Sequence, residues 1–201
     1  MLPVWGLAAI GGYLLGSLPF GILLTRWFGV GDIRQIGSGN IGATNVLRTG
    51  RKDLALATVL LDAGKAAAAY WLVLHLLEGA TFATAMFAAL CALIGHCYPV
   101  WLKFKGGKGV ATFFGGVFIA DWQLGLIVGM IWLIVAFSMR ISSLAALIAV
   151  NGAPALALAM GRPDLAVFIG LMALVISFRH LENIRRLIAG TEPKFGSKDK
   201  K

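Results

Sequence analysis

Seven apolar stretches, separated by short polar breaks, limit what this 201-residue chain can fold into. They run over residues 3–25, 54–77, 80–101, 109–120, 122–139, 143–160 and 165–179. A helix needs about 20 apolar residues to cross the hydrocarbon core of a bilayer, which is roughly 30 Å thick. Composition agrees: 59% of residues are hydrophobic and 13% charged, against about 25% charged in an ordinary soluble domain. The chain therefore reads as an all-α polytopic transmembrane helix bundle, a single domain over residues 1–201. Stretch 109–120 is short, because twelve residues at about 1.5 Å each reach only about 18 Å. It either begins at Gly106 or pairs with 122–139 as a shallow hairpin. Seven spans is the expectation and five the fallback, since removing a pair leaves both chain ends on their original sides. Trp5 and Trp27 flank the first stretch like interface anchors, and Trp101 and Trp122 mark other ends. The first stretch starts without a basic leader and has no small-residue cleavage site, so it reads as a retained span rather than a signal peptide.

The net charge of +9 is better explained by topology than by nucleic acid. Arg26, Arg34, Arg48, Arg51, Lys52, Lys103, Lys105, Lys108, Arg140, Arg179, Arg185, Arg186, Lys194, Lys198, Lys200 and Lys201 all fall on one side of the seven-span arrangement. Arg162 falls on the other, with Glu78, Asp121 and Asp164 in the opposite turns, and Lys65 lies inside a span. The positive-inside rule then puts the N-terminus outside, the C-terminus in the cytoplasm and the polar segments on the cytoplasmic face. Cys91 and Cys97 carry no metal or disulfide spacing and read as reduced thiols.

Three polar islands interrupt the apolar pattern. Polar, cationic, glycine-rich backbone beside a bilayer is costly unless it binds something. The first island, IGSGNIGATNVLRTGRK at 36–52, contains a G-x-G-x-x-G match but lacks the βαβ context of a dinucleotide fingerprint. Its glycines, with Ser38, Gly39, Asn40, Thr44 and Asn45, suit close approach to a phosphate, and Arg48 offers a planar charged fork. The second, GHCYPVWLKFKGGKGVATFFGG at 95–116, places Lys105 and Lys108 around Gly106 and Gly107, with Gly109 following. It is not a Walker A loop, because Lys108 is followed by glycine. His96 is a base, an anion donor or an interfacial histidine. The third, RHLENIRRLIAGTEPK at 179–194, sets His180 and Asn183 on one helix face. Leu181, Ile184 and Ile188 form an adjoining apolar stripe, which suggests an interfacial helix ended by Gly190, with Glu192 after it. Asp62 and Lys65 are functional suspects or a mutually paired couple. Ser143 contacts a ligand or caps a helix.

Together these islands closely resemble the three cytoplasmic motifs of the bacterial membrane acyl-phosphate:glycerol-3-phosphate acyltransferases, in the same order and over essentially the whole chain. The resemblance implies transfer of a fatty acyl group from acyl phosphate to the 1-hydroxyl of glycerol 3-phosphate, giving lysophosphatidic acid and inorganic phosphate in the bacterial inner membrane. It implies catalytic roles for His96, His180, Lys105 and Lys108, and substrate binding by Ser38, Gly39, Asn40, Thr44, Asn45, Arg48, Lys65, Gly106, Gly107, Gly109, Ser143, Asn183 and Glu192. The expected partners are the two phosphorylated substrates and the lipid bilayer, without nucleic acid; a monomer is plausible and the oligomeric state is open.

None of His75, His96 and His180 is followed five residues on by Asp, so the H-x-x-x-x-D pair of other glycerolipid acyltransferases is missing. Acyl phosphate has a good leaving group, so positioning and charge stabilisation can carry more of the barrier. The 106–109 amides with Lys105 and Lys108 are expected to hold one phosphate. Ser38, Asn45, Arg48, His180 and Asn183 are expected to help hold the other. The base is His96, His180 or a substrate phosphate oxygen. No cofactor or metal is expected, since the carboxylates do not cluster with histidines as ligands would. The rival reading is a phosphate or organophosphate transporter, which would need polar groups near the midplane and access from both sides.

Overall fold

The computed structural model describes residues 2–194 and is helical throughout, with no strand among the described residues. Lys198, Lys200 and Lys201, counted above among the cytoplasmic cations, lie outside the described residues. The chain divides into two compact units, Met1–Asp121 and Trp122–Lys201.

The first unit contains α1 (Leu2–Gly16), α2 (Phe20–Trp27), α3 (Ala43–Leu47), α4 (Lys52–Leu76), α5 (Phe82–Cys97) and α6 (Val110–Ala120). Single 3₁₀ turns lie at Ile33–Gln35 and Val100–Leu102. Helix α1 packs on α5, while α4 packs on α5 and α6. The α1–α5 contact is very close. A Cβ added at Gly12 or Gly16 would overlap the backbone of Ala88 or Ala92, and one at Gly95 would overlap the Tyr13 carbonyl. Small residues four apart on two helices let backbones approach where lipid supplies no hydrophobic drive. Gly115 meets Ala63 in the same way where α6 crosses α4.

The expected first span is broken. Pro19 lacks an N–H and separates α1 from α2, leaving Ser17 and Leu18 non-helical. Their carbonyls are taken by side chains: Trp101 Nε1 donates to Ser17 O at 2.7 Å and Lys65 Nζ to Leu18 O at 3.1 Å. Tyr13 Oη adds a bond to Tyr98 O. Irregular backbone at membrane depth persists where protein partners of this kind satisfy it.

The second unit contains α7 (Trp122–Met139), α8 (Ser142–Ala159), α9 (Pro163–Arg179) and α10 (Leu181–Ile188). Helices α7, α8 and α9 pack in sequence. Helix α10 turns away from α9 by 64°. It stops as its sequence requires: Gly190 has φ +68°, its N–H bonds Leu187 O, and Thr191 N–H bonds Arg186 O. This pair of bonds is the Schellman motif. Leu181 and Ile188 on the apolar stripe are exposed.

Every apolar stretch is helical, but the helices differ in reach. Among the described residues, five segments are long and apolar enough to cross a membrane: Pro3–Trp27, Lys52–Leu76, Phe82–Leu102, Trp122–Met139 and Ser142–Ala159. Helix α9 with α10 makes a sixth if the bent pair is one span. Helix α6 has 11 residues, about 16 Å of rise, so its own length does not carry a seventh.

Candidate active site

In the first unit, the second island folds back on the helix that precedes it. Lys103 and Phe104 adopt left-handed φ values of 53° and 61°, which reverse the chain after the Val100–Leu102 turn. Gly106 N–H then donates to Cys97 O at 3.1 Å and Gly107 N–H to His96 O at 3.0 Å. These two amides were expected to cradle a phosphate; instead they satisfy the end of α5, whose last carbonyls have no helical partner. Glycine is required at both positions, because a Cβ at Gly106 would overlap His96 O and one at Gly107 would overlap the His96 ring at Nε2. Gly109, with φ +85°, then starts α6. Lys105 is exposed and Lys108 half-buried, flanking the buried glycines.

Behind this loop lies a buried ionic cluster. Lys65 Nζ is 2.9 Å from Asp62 Oδ1 and 2.7 Å from His96 Nδ1, besides its bond to Leu18 O. The side chains of Lys65, Asp62 and His96 are 1%, 4% and 5% exposed. Lys65 was expected to touch substrate. The structure gives each of its N–H groups a protein partner and places it behind His96. Asp62 and Lys65 are a couple, as one of the two sequence readings held.

The first island is tied down by one amide. Asn45 is buried; its Nδ2 donates to Ile33 O at 2.8 Å, and its Oδ1 accepts from Ser38 N–H at 3.3 Å. Asn45, expected as a substrate donor, thus also shapes the loop from within. Its helix, α3, buries Val46 against Ile22, Ile33, Ile41 and Leu54. Gly37 lies under the Arg48 side chain, with no room for a Cβ. Ser38, Thr44 and Arg48 stay exposed, while Gly39 and Asn40 are half-buried. Asn40 Oδ1 is buried without a hydrogen-bond partner.

In the second unit, Glu192 gathers three donors. Ser143 Oγ and Asn183 Nδ2 both reach its Oε1, at 2.6 and 2.5 Å, and Arg186 Nε reaches Oε2 at 2.7 Å. Burial pushes the Glu192 carboxyl up, but the bonds from Ser143, Asn183 and Arg186 outweigh it and hold the group below the usual carboxylate range. Glu192 and Ser143 were expected at the substrate, with a cap as the alternative for Ser143. In the structure they are bonded to each other, and Glu192 also holds Asn183. His180 is buried, and its Nδ1 lies 2.8 Å from Ile176 O.

Three participants escaped the sequence reading. The Leu18 carbonyl is released by Pro19, a proline inside an apolar run. Arg186 was read as a cytoplasmic cation and pairs with Glu192. Thr112, in the first turn of α6, is fully buried with its hydroxyl unpartnered; a hydroxyl three residues after Gly109 was its available signal.

A family model described as "Glycerol-3-phosphate acyltransferase" matches residues 6–190. The chain is 57% identical over 191 residues to the glycerol-3-phosphate acyltransferase of Maricaulis maris, covering 95% of this chain and 87% of that one. It is 52% identical to that of Dinoroseobacter shibae, covering 98% and 95%. Among solved structures it is similar to PlsY (YgiH), an integral membrane glycerol 3-phosphate acyltransferase. Against the glycerol 3-phosphate form the TM-score is 0.88 at 35% identity, covering 96% of each chain. Against the lysophosphatidic acid form the TM-score is 0.87 at 34% identity, with the same coverage.

Proposed function

This chain belongs to the glycerol-3-phosphate acyltransferase family, and on that premise we propose that it acylates the 1-hydroxyl of glycerol 3-phosphate with acyl phosphate as donor. The hydroxyl oxygen forms a bond to the acyl carbon, and the bond from that carbon to the phosphate oxygen breaks. The hydroxyl proton passes to a base, and the products are lysophosphatidic acid and inorganic phosphate. The observation that carries this reading is the match over residues 6–190, which includes all three polar islands up to Gly190.

Both substrates carry phosphate, so cationic groups dominate the assignment. Lys105 and Lys108 neutralise charge on phosphate, and the planar fork of Arg48 recognises it. Ser38, Thr44, Asn40, His180 and Asn183 contribute neutral contacts. Gly39, Gly106, Gly107 and Gly109 set the backbone that presents them. Positioning and charge stabilisation supply most of the rate, because the mixed anhydride already has a good leaving group.

The protein is an integral membrane enzyme. We assign it to the bacterial inner membrane, with an odd number of spans, seven or the fallback five, the N-terminus outside and the C-terminus and active site cytoplasmic. The one-sided distribution of Arg and Lys supports that orientation.

The test uses purified protein with palmitoyl phosphate and glycerol 3-phosphate, without added metal, following phosphate release. Release that depends on both substrates is expected. Acylation by acyl-CoA or acyl carrier protein with no release from acyl phosphate would overturn the donor assignment.

A further inference from the structure

Lys65 is where the sequence reading and the structure part most sharply, and its contacts determine the state of a second residue. Three acceptors surround its Nζ: Asp62 Oδ1 at 2.9 Å, Leu18 O at 3.1 Å and His96 Nδ1 at 2.7 Å. A carboxylate and a backbone carbonyl only accept hydrogen bonds. Two hydrogens of Lys65 are therefore directed at them, and Asp62 is its ion-pair partner. As an ammonium, Lys65 turns its third hydrogen to His96 Nδ1, which then accepts it. Asp62 Oδ1 lies 3.6 Å from the same nitrogen, beyond hydrogen-bond range. A neutral imidazole that accepts at one nitrogen carries its proton on the other.

We infer that Lys65 is a positioning residue that locks His96 as the Nε2–H tautomer, so that His96 presents a proton donor, not a base, towards the glycine-rich loop. The edge bearing Nε2 abuts Gly107, where a Cβ would overlap it, and the His96 carbonyl takes the Gly107 N–H. Ring and backbone of one residue thus hold the loop that carries Lys105 and Lys108. The ring nitrogen that bears the lone pair is turned to Lys65 and buried.

His180 has the reverse arrangement. Its Nδ1 faces the Ile176 carbonyl at 2.8 Å, which can only accept, so Nδ1 carries a proton. Of the three candidate bases, His96 is removed, and His180 and a substrate phosphate oxygen remain. This last step rests on the acyltransferase reading; the tautomer does not.

Nitrogen-15 NMR of histidine-labelled, full-length protein in micelles tests the inference. The chain has three histidines, so His75→Gln and His96→Gln assign the signals. In the wild type, His96 is expected to show a protonated Nε2 and a bare Nδ1, and Lys65→Met is expected to lose this single state. A proton on Nδ1, or on both nitrogens, in the wild type would overturn the proposal whether or not the variants fold. In the acylation assay, His96→Gln keeps an amide donor but no basic nitrogen, and the activity it retains is expected to show the same acidic limb of the pH profile as the wild type. Loss of that limb in His96→Gln would also sink it. A wild-type protein without acylation activity would count against the acyltransferase reading alone, because the spectrum does not depend on turnover.

Discussion

Asn183 and Glu192, nine positions apart on either side of the Gly190 turn, are joined by a 2.5 Å amide-to-carboxylate hydrogen bond. The bond fixes the orientation of the Asn183 amide, which is proposed to touch substrate. Glu192→Ala removes the acceptor shared by Ser143, Asn183 and Arg186. It is expected to lower stability by about 1–3 kcal/mol, the usual cost of stranding buried donors, and to lower kcat/KM by about 10-fold. Thermal unfolding in detergent and steady-state kinetics read the two effects separately. Glu192→Gln, which keeps an oxygen acceptor, should recover part of both.

The same carboxylate gives a pH dependence with a defined sign. Its folded pKa lies below the ordinary value of 4.5, so folding binds fewer protons here than the unfolded chain does. The stabilisation is fully present above the unfolded value and is lost as pH falls through the folded one. Wild-type Tm should therefore drop more steeply than that of Glu192→Gln as pH falls below about 5. Parallel curves would contradict this, since other carboxylates, including the Asp32 that Arg34 and Arg26 hold low, are common to both proteins.

Neighbouring glycines in α1 should respond oppositely. A Cβ at Gly11 meets nothing within 4 Å, whereas one at Gly12 overlaps the Ala88 backbone. Gly12→Ala is expected to cost about 1–3 kcal/mol by overpacking, and Gly11→Ala to stay within about 0.5 kcal/mol. Unfolding midpoints of the two variants, measured side by side, provide the check.

In the loop, Gly107→Ala should cost at least about 100-fold in kcat/KM, the scale of a misplaced catalytic group, because the added methyl displaces the His96 ring or the loop. A variant of unchanged activity would show that the loop tolerates rearrangement.

Lys105→Met and Lys108→Met should each lower kcat/KM by about 10- to 100-fold, the worth of one charge-assisted contact. Lys103→Met should change it by less than about 3-fold. Phosphate release at varied glycerol 3-phosphate and varied acyl phosphate shows which substrate each lysine serves.

Much of the fold was readable because apolar runs and single residues such as Gly190 act locally. After the first run, which is split between α1 and α2, each run became a helix within a few residues of its expected ends, and Gly190 closed α10 through bonds to its own last turn. The break at Pro19 was written in the sequence but obscured by the length of the run around it. Pairings between distant segments were not readable. Nothing in residues 62–65 announces His96, 31 positions beyond Lys65, and nothing in 183–192 announces Ser143. Residue type identified Lys65, Asn45 and Glu192 as important. Only the folded geometry shows which protein groups each of them bonds.

The Asp62–Lys65 pair also bears on how such a chain enters a bilayer at all. A lone charge at the centre of an inserting helix costs about 2.5–3.5 kcal/mol on translocon scales. Here the counter-ion sits one turn earlier on the same helix, so α4 carries the partner for its own lysine without help from another helix. Replacing Asp62 alone would therefore strand the nascent segment during biogenesis, a failure visible as lost protein yield rather than lost turnover.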